Sequence, residues 1–543
     1  MIAIEKLHED HIAFAYESLD RVILNGYIPT LQTEGAVAYF FREVCHKPIV
    51  SPVLFKQMTD RFVAAIQSFA QSHAIPVLHV GQGQKPGDLG QPALARAERE
   101  GRWGVVAIVV HQESARAFSS YHWAGHKKSA FTVKRATRAV NHYYFYLRDR
   151  DFGDAFIRIC SYLPFPLRVW VNAHDWIAAR LRAAGIPFRM DENCFLDVAP
   201  EHVPQVQHWA DAFGQEALEQ FLARWVPRLP QPLTAAERAA GYAYHFSIYQ
   251  LELCHNLIFK DTRVLNRLYE QLLRDHLEFG RPEYLKLFFG RQIRKTSPVQ
   301  PRTRLLRDGA VSCLKIFYKH SFLKQYNKVG RLLRTEVCVN NPRDFGVNKG
   351  LAHLAYLRRL AHYATQRFLK AQAVSYHTAL DRSSLERIVA PSVTADGKPC
   401  PGLALGRPRA LATLEGLCAV GLLFPAFSNA TFRQEVARLR DEASDAYGAP
   451  QAGYDLKKLR GKGLITKLPG KNLYAVTEQG HRVSQFITKL HHRVLVPGLA
   501  YAQGAPAPAE MAHSSDALDR ANLRVCRAID DLITAAGLVP AVN

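Results

Sequence analysis

Several things are missing from this sequence. It has no run of eighteen apolar residues, which excludes a helical membrane span, and its opening, MIAIEKLHEDHIAF, carries charges where a secretory signal needs an apolar stretch. The expectation is a cytoplasmic protein with no membrane partner. The nine cysteines, at 45, 160, 194, 254, 313, 338, 400, 418 and 526, include no CxxC or other close ligand spacing. They read as reduced, mostly buried thiols, and a structural zinc site is not expected. The P-loop pattern GxxxxGK followed by Ser or Thr is absent, which argues against an ATP-driven helicase or translocase. No GxSxG and no Cys and His constellation stands out. The DFG at 151–153 is not a kinase signature, because it lacks both a Gly-rich loop with a paired Lys and an HRD-like loop. No internal repeat is evident, and low complexity is confined to the linker AYAQGAPAPAE.

Acidic residues are scarce relative to basic ones. Lys+Arg 70 against Asp+Glu 48 leaves a formal charge of +22, and much of the excess sits in one place. Between Arg281 and Arg334 there are fourteen Lys and Arg and two acids, with Phe317, Tyr318, Phe322 and Tyr326 threaded between them. The basic positions are spread over strand-like and loop-like segments, so a folded basic surface is expected, not a disordered arm. Such a surface neutralises phosphates and points to nucleic acid as partner, DNA favoured over RNA. The candidate contacts in this region are Arg291, Arg294, Lys295, Arg302, Arg304 and Lys315, followed by Lys319, Lys324, Lys328, Arg331 and Arg334. The four aromatics could stack on exposed bases, although each one alone reads as readily as core.

Hydrophobic content of 48% in 543 residues suffices for two to four domains at about 150 residues each. The pattern implies a mixed α/β (α+β) multidomain chain. A helical N-terminal region (1–100) is expected from three and four spacing, most plainly Met58, Phe62, Ala65, Ile66 and Phe69. A central α/β module (101–200) follows, with strands at VVAIVV (Val105 to Val110), NHYYFYLRD (Asn141 to Asp149) and LRVWVN (Leu167 to Asn172). The helix HDWIAARLRAAG comes next, with Asp175 as a first-turn acid and Gly185 ending it. Residues 201–280 read as helical, including SIYQLELCHNLIF, and 281–350 as a basic β segment completing the central module. A helical connector (351–400) leads to three helices and a ribbon (401–495), and 496–543 are linker and terminal helix. Within 401–495, Ser428 is an N-cap, YDLKKLRGKGLI is a third helix running into a strand, and Pro469-Gly470 turns GLITKLPGKNLYAV into two strands. This order resembles a winged helix. The resemblance implies DNA contacts at Lys457, Lys458, Arg460, Lys462 and Lys471, or else a module for protein interaction.

Carboxylates in basic or apolar surroundings are the candidates for chemistry. Arg334 and Glu336 share a strand face at a spacing of two. Glu336 among so many cations could hold Mg2+ or Mn2+ for strand cleavage, or simply pair with Arg334 or a nearby Lys. Glu113 follows the strand VVAIVVHQE, and Asp149, Asp151 and Asp154 cluster after HYYFYLRD. With Glu336, Glu113 and Asp151 could supply the ligands of a phosphoryl-transfer site if their strand ends converge, and otherwise they serve as caps and turn residues. The isolated His142, His491 and His492 read as structural or surface residues.

The strings NHYYFYLRDRDFGDAFIRICSYLPFPLRVWVNAHDW and FYKHSFLKQYNKVGRLLRTEVCVNNPRDFG resemble those of an uncharacterised bacterial protein family with a C-terminal winged-helix-like domain, over most of the chain. The second string is also similar to rolling-circle replication initiators of phages and plasmids, some of which carry a Lys-x-Tyr-x-Lys-like strand followed by Leu-Arg-x-Glu. That resemblance implies a mobile-element or phage connection, Tyr326 or Tyr318 as nucleophile and Glu336 as metal ligand. The paired-histidine strand of those enzymes is absent, since His79 and His111 each stand alone. Two expectations follow: a nucleic-acid-binding protein with metal-dependent strand cleavage or replication initiation, whose catalytic candidates are Glu336, Tyr326 and Asp151, or a non-enzymatic winged-helix regulator or binder of a structured RNA.

Overall fold

The computed structural model describes residues 3–123, 130–275, 289, 302–308, 311–376, 382–393, 397–424, 426–440, 447–491, 524 and 528. The chain divides into two compact units, His8–Gln366 and a second made of Arg367–Asn543 with Met1–Leu7. Among the described residues no helix is long and apolar enough to cross a membrane.

A large mixed sheet organises the first unit. Its strands are β1 (Ile12–Tyr27), β2 (Val77–His79), β3 (Gly104–Trp123), β4 (Ala130–Asp149), β5 (Gly153–Cys160) and β6 (Leu167–Asn172). After a separate hairpin, β7 (Phe188–Asp191) and β8 (Cys194–Val198), come β9 (His245–Phe259), β10 (Arg302–Asp308), β11 (Val311–Tyr318), β12 (Ser321–Lys328) and β13 (Leu332–Val339). Eleven strands run in the order β10-β11-β12-β13-β9-β1-β6-β5-β4-β3-β2. All neighbours are antiparallel except β2 and β3.

This order traces the same path twice. β1 is followed by helices and the short β2, which has no counterpart in the second half, and then by the meander β3 to β6, whose last strand returns beside β1. β9 is followed by the helix Thr262–Asp275 and the meander β10 to β13, whose last strand returns beside β9. β1 and β9 pair with each other at the centre. A trace of the repeat survives in the returning strands, where Val169-Trp170-Val171-Asn172 matches Val337-Cys338-Val339-Asn340. Arg168 and Glu336 therefore hold corresponding places.

Two segments depart from expectation. Ile12–Tyr27 and His245–Phe259 are the central strands of the sheet, not helices. Each carries an irregularity that breaks strict alternation, with register shifts between Leu19 and Val22 on β1 and, opposite Ile23 and Leu24, around Tyr249 on β9. Residues 251–259 are moreover buried without interruption, so no period of two is visible there.

One sheet face is closed. Leu19, Val22, Leu24, Val169, Ile157, Phe145, Leu253 and Val337 are buried on it. The helix Pro52–Ser72 packs there, presenting Met58, Phe62 and Ile66 at helical spacing and setting Phe69 edge-on to Phe145. A polar row, Gln325, Thr335, His255 and Glu17, crosses four strands of the same face. Glu17 accepts hydrogen bonds from His255 (3.0 Å), from Gln366 (3.3 Å) and from His362 (2.6 Å) on the helix Leu354–Tyr376.

Burial pushes the Glu17 carboxyl up, but the hydrogen bonds from His255 and His362 outweigh it and bring it down to about 2. The bond to Glu17 in turn raises His362 above its ordinary 6.5. The Glu17 contribution is therefore present above pH 4.5 and lost as pH falls toward 2. The His362 contribution is present below pH 6.5 and lost as pH rises through its raised value. His362→Gln should lower urea stability by about 0.5–1 kcal/mol near pH 5.5, a figure discounted for the half-exposed ring, and the gap should close as pH rises through the raised His362 value. A gap independent of pH would show that the contact is packing alone.

The second unit holds helices Pro408–Leu423, Asn429–Leu439 and Ala449–Gly461, a short hairpin (Ile465–Lys467 with Tyr474–Val476) and a closing helix Glu478–Leu490. Ser428 caps the second helix by accepting from Thr431 N (3.2 Å), and Gly470 turns the hairpin at φ +66°. Leu417, Val420, Phe432, Val436, Leu456, Leu459 and Val483 form its core.

Candidate functional site

The other face of the sheet is unlike the closed one. On β4, β5, β6 and β1 its residues are Tyr144, Phe156 and Arg158, Arg168 and Trp170, and Arg21, Ile23 and Asn25, all half-buried. Strand register brings them side by side, since Phe156 lies opposite Trp170 and Trp170 opposite Ile23, while Arg158 lies opposite Arg168 and Arg168 opposite Asn25. The Phe156 and Trp170 rings stack at 5.7 Å with 5° between planes. Arg168 lies 3.8 Å over the ring of Tyr249, which the irregularity in β9 pushes outward to 39% exposure. Across the centre the same face continues as Phe322 and Lys324 on β12 and Lys315 and Phe317 on β11. Lys315 Nζ sits 3.6 Å from the centre of the Phe322 ring. Cations and flat rings thus alternate over a partly open surface, which the helix Pro86–Arg99 covers at the β3–β4 end, where Tyr144 and Phe156 pack against the cluster of Leu94 and Ala97.

At one end of this face the surface closes over a buried charge cluster. The β7–β8 hairpin turn lays Asn193 on the sheet, where its amide donates to both oxygens of Asp20 (2.6 and 2.7 Å). Arg334, wholly buried, donates through Nε to Asn256 (2.8 Å) and through Nη2 to the Asn193 carbonyl (2.5 Å). Its Nη1 lies 3.5 Å from both Asp20 and Glu336. Tyr326 donates to Glu336 (2.8 Å), and Lys324 caps the same carboxylate. His174 stands 3.2 Å from Asp20. Burial pushes Asp20 up, but Arg334 and then His174 outweigh it and hold the carboxyl well below its usual range. Burial and then Glu336 push Tyr326 far up, so its hydroxyl stays protonated. Burial and then Glu336 also raise Glu252.

The residues singled out in the sequence fall into distinct places. Glu336 and Tyr326 are in contact, and Glu336 pairs with both Arg334 and Lys324, as its simpler reading expected. Glu113 and Asp151 do not join them. Glu113 is on β3, six strands from β13, a span of about 29 Å at the usual strand spacing. It accepts hydrogen bonds from Tyr144 and from Arg158 (2.7 Å), and His111 lies 3.2 Å away. Burial raises Glu113, but Tyr144 and Arg158 bring it below its usual range. His142, 4.0 Å from Glu113, is pushed down to about 4 by burial and then by Arg158.

Asp151 anchors the β4–β5 turn instead, receiving Arg224 Nη2 at 2.6 Å. Beside it Asp149 accepts from Arg224, from Trp225 Nε1 (2.7 Å) and from the backbone of Asp151 and Phe152. The expected convergence of Glu336, Glu113 and Asp151 on one metal is corrected on this geometry.

Several expected phosphate contacts are occupied internally. Arg334 is buried, Lys324 caps Glu336, and Lys328 reaches Glu192 (2.8 Å) and the Asn193 side chain. Arg331 lies 3.7 Å from Asp197. Tyr318 is buried and stacks on Phe345, so it can neither platform a base nor attack a phosphate. Lys315 and Lys319 stay partly open. Arg291, Arg294 and Lys295 lie outside the described residues, and so do the side chains of Arg302 and Arg304 on β10.

In the second unit Lys457, Arg460 and Lys471 are exposed, Lys458 is half-buried, and Tyr454 is 54% exposed on the helix face that carries Lys457. Lys462 is different, because its ammonium is buried against the Ala390 carbonyl (2.6 Å) and Ser392 (2.7 Å), where it ties the chain to itself.

Arg21, Arg158, Arg168, Trp170 and Tyr249 were not anticipated as site residues. The strand LRVWVN carried a signal, since alternation alone puts Arg168 and Trp170 on one face. Comparison of the chain with known protein families, with curated proteins and with solved structures found no match.

Proposed function

We propose that the protein binds nucleic acid, taking a single strand on the half-open face of its sheet. The observation that carries this reading is the row of stacked and cation-capped rings, Phe156 on Trp170 and Arg168 on Tyr249, flanked by Lys315 and by Arg158 and Arg21, which also reach Glu113 (2.7 Å) and Glu252 (3.8 Å). Rings accept unstacked bases from any sequence, and the cations follow the backbone. A sheet with aromatics on an exposed face is a common platform for single strands.

The second unit supports a duplex contact. Three helices followed by a hairpin fit the winged-helix resemblance, and the outward face of Ala449–Gly461 bears Tyr454, Lys457 and Lys458, with Lys471 exposed at the hairpin tip. In that arrangement the helix enters the major groove and the hairpin touches the backbone. DNA is therefore the favoured partner. The second reading, a winged-helix regulator without activity, rests on this same surface. Strand cleavage by Glu336 with Glu113 and Asp151 is not part of the proposal, given their separation.

Fluorescence anisotropy with labelled single-stranded DNA, its RNA equivalent and a duplex tests this. Trp170→Ala should weaken single-strand binding by about 1–3 kcal/mol, about 5- to 150-fold, and leave duplex binding intact. Lys457→Ala with Lys471→Ala should do the reverse and flatten the salt dependence of duplex binding. A strong preference for RNA, lost with deoxy substitution, would move the reading to RNA. Binding by neither unit at low salt would reject it.

A further inference from the structure

Where the open face meets the β7–β8 cover, register sets Cys338 of β13 opposite Glu252 of β9, with Glu336 two residues along β13 from Cys338. Among the described residues, Glu252, Glu336 and Cys338 are the one set of three such side chains whose ligand atoms all lie within 4.8 Å of one another. All three are buried, and Glu252 is only 3% exposed. One Glu252 oxygen, Oε1, accepts from Gln250 (2.9 Å) and lies 3.8 Å from Arg21, while the other, Oε2, has no hydrogen-bond partner. A buried carboxylate oxygen left bare beside a second carboxylate and a thiol is costly unless a cation takes it up.

We propose that Glu252, Glu336 and Cys338 form a binding site for a divalent transition ion, with Lys324 as a tethered cation that competes for it. The thiol makes the donor set borderline-soft, which suits Zn2+ or Co2+ and disfavours Mg2+. Tetrahedral bond lengths of about 2.0–2.3 Å require the three donors to draw in by about 1 Å, within reach of side-chain torsions. Binding forms one S–metal and two O–metal bonds, and the Cys338 proton leaves to solvent. Lys324 approaches Glu336 from the half-open side, with 23% of its side chain exposed. It can therefore withdraw to water as the ion enters. A water or a ligand lying on the face would complete the coordination. The site stands whether or not the face binds nucleic acid.

Cobalt titration of the full chain is the test, read by the near-ultraviolet sulfur-to-cobalt charge-transfer band and by equilibrium dialysis of Zn2+. The expected result is one ion per chain with a thiolate band. Cys338→Ser should abolish the band, Glu252→Gln should weaken binding at least tenfold, and Lys324→Met should tighten it about tenfold by removing the competing charge. A Cys400→Ser control, altering a cysteine of the other unit, should change nothing. Circular dichroism of each variant separates lost ligation from lost fold. The proposal is overturned if neither wild type nor Lys324→Met gives a band. It is equally overturned if only Lys324→Met gives one, because lysine is then the permanent occupant. A band that survives Cys338→Ser would place the ion elsewhere and overturn it too.

Discussion

Arg334→Ala should destabilise the His8–Gln366 unit by about 3–5 kcal/mol, enough to leave much of the protein unfolded. The guanidinium is fully buried and holds Asp20, Glu336, Asn256 and the Asn193 carbonyl together. Its removal leaves Asp20 with only Asn193 and His174 and Glu336 with only Tyr326 and Lys324, two buried carboxylates short of positive charge. The penalty comes from the orphaned partners more than from the lost attraction. Arg334→Met combined with Asp20→Asn and Glu336→Gln should therefore recover most of the loss, because no buried carboxylate is left short of charge and Lys324, released from Glu336, can turn to the half-open side. Urea denaturation of the single and triple variants measures both numbers. If the triple variant is no better than Arg334→Ala, the hydrogen bonds to Asn256 and Asn193, not charge balance, are what the arginine supplies.

Gly480→Ala should disrupt the second unit about as severely, at roughly 3 kcal/mol, the upper end for overpacking. A Cβ at this position would stand 1.9 Å from the Leu464 carbonyl oxygen and 2.9 Å from a Val476 methyl. The oxygen is backbone, and it already accepts from Thr477 N (3.0 Å), while Thr477 caps the helix by accepting from Gly480 N (2.9 Å). Neither the hairpin nor the helix can yield without breaking that joint. Expected together are a lower unfolding midpoint and, on the proposed function, loss of duplex binding with single-strand binding unchanged. A Gly480→Ala protein of wild-type stability would mean that the helix start and the hairpin do not approach as closely as described.

The parts of the molecule most legible in the sequence are those whose chemistry is local. Ser428 and Gly470 punctuate the second unit through capping and a left-handed turn, which need only near neighbours. The helices at Pro52–Ser72 and Leu354–Tyr376 and the strand Leu167–Asn172 were equally plain. The two central strands were not. On β9, polar Glu252, His255, Asn256 and apolar neighbours fall three and four apart and mimic a helix, because both sheet faces there are buried and each tolerates polar residues only where partners meet them.

That misreading propagates to the site. Arg334 and Glu336 could be placed on one face by their spacing of two. Asp20, Glu252 and Asn256, which complete their surroundings, come from the strands read as helix, and Asn193 arrives from a hairpin turn. Nor could net charge distinguish Lys324, Lys328 and Arg334, which neutralise internal acids, from cations left for a partner. That distinction depends on acids far away in sequence.

The twofold path of the sheet makes its two halves alike in backbone and unlike in chemistry. Arg168 and Trp170 stand on one side of the central β1–β9 pair, and Glu336 and Cys338 hold the corresponding places on the other. A symmetric platform would accept a linear polymer equally in either sense. Here Arg168 and Trp170 stay half-open in one half, whereas the corresponding Glu336 and Cys338 of the other half are buried. On the proposed function, a single strand laid across the seam would therefore meet two unlike halves, and reversing it would exchange them.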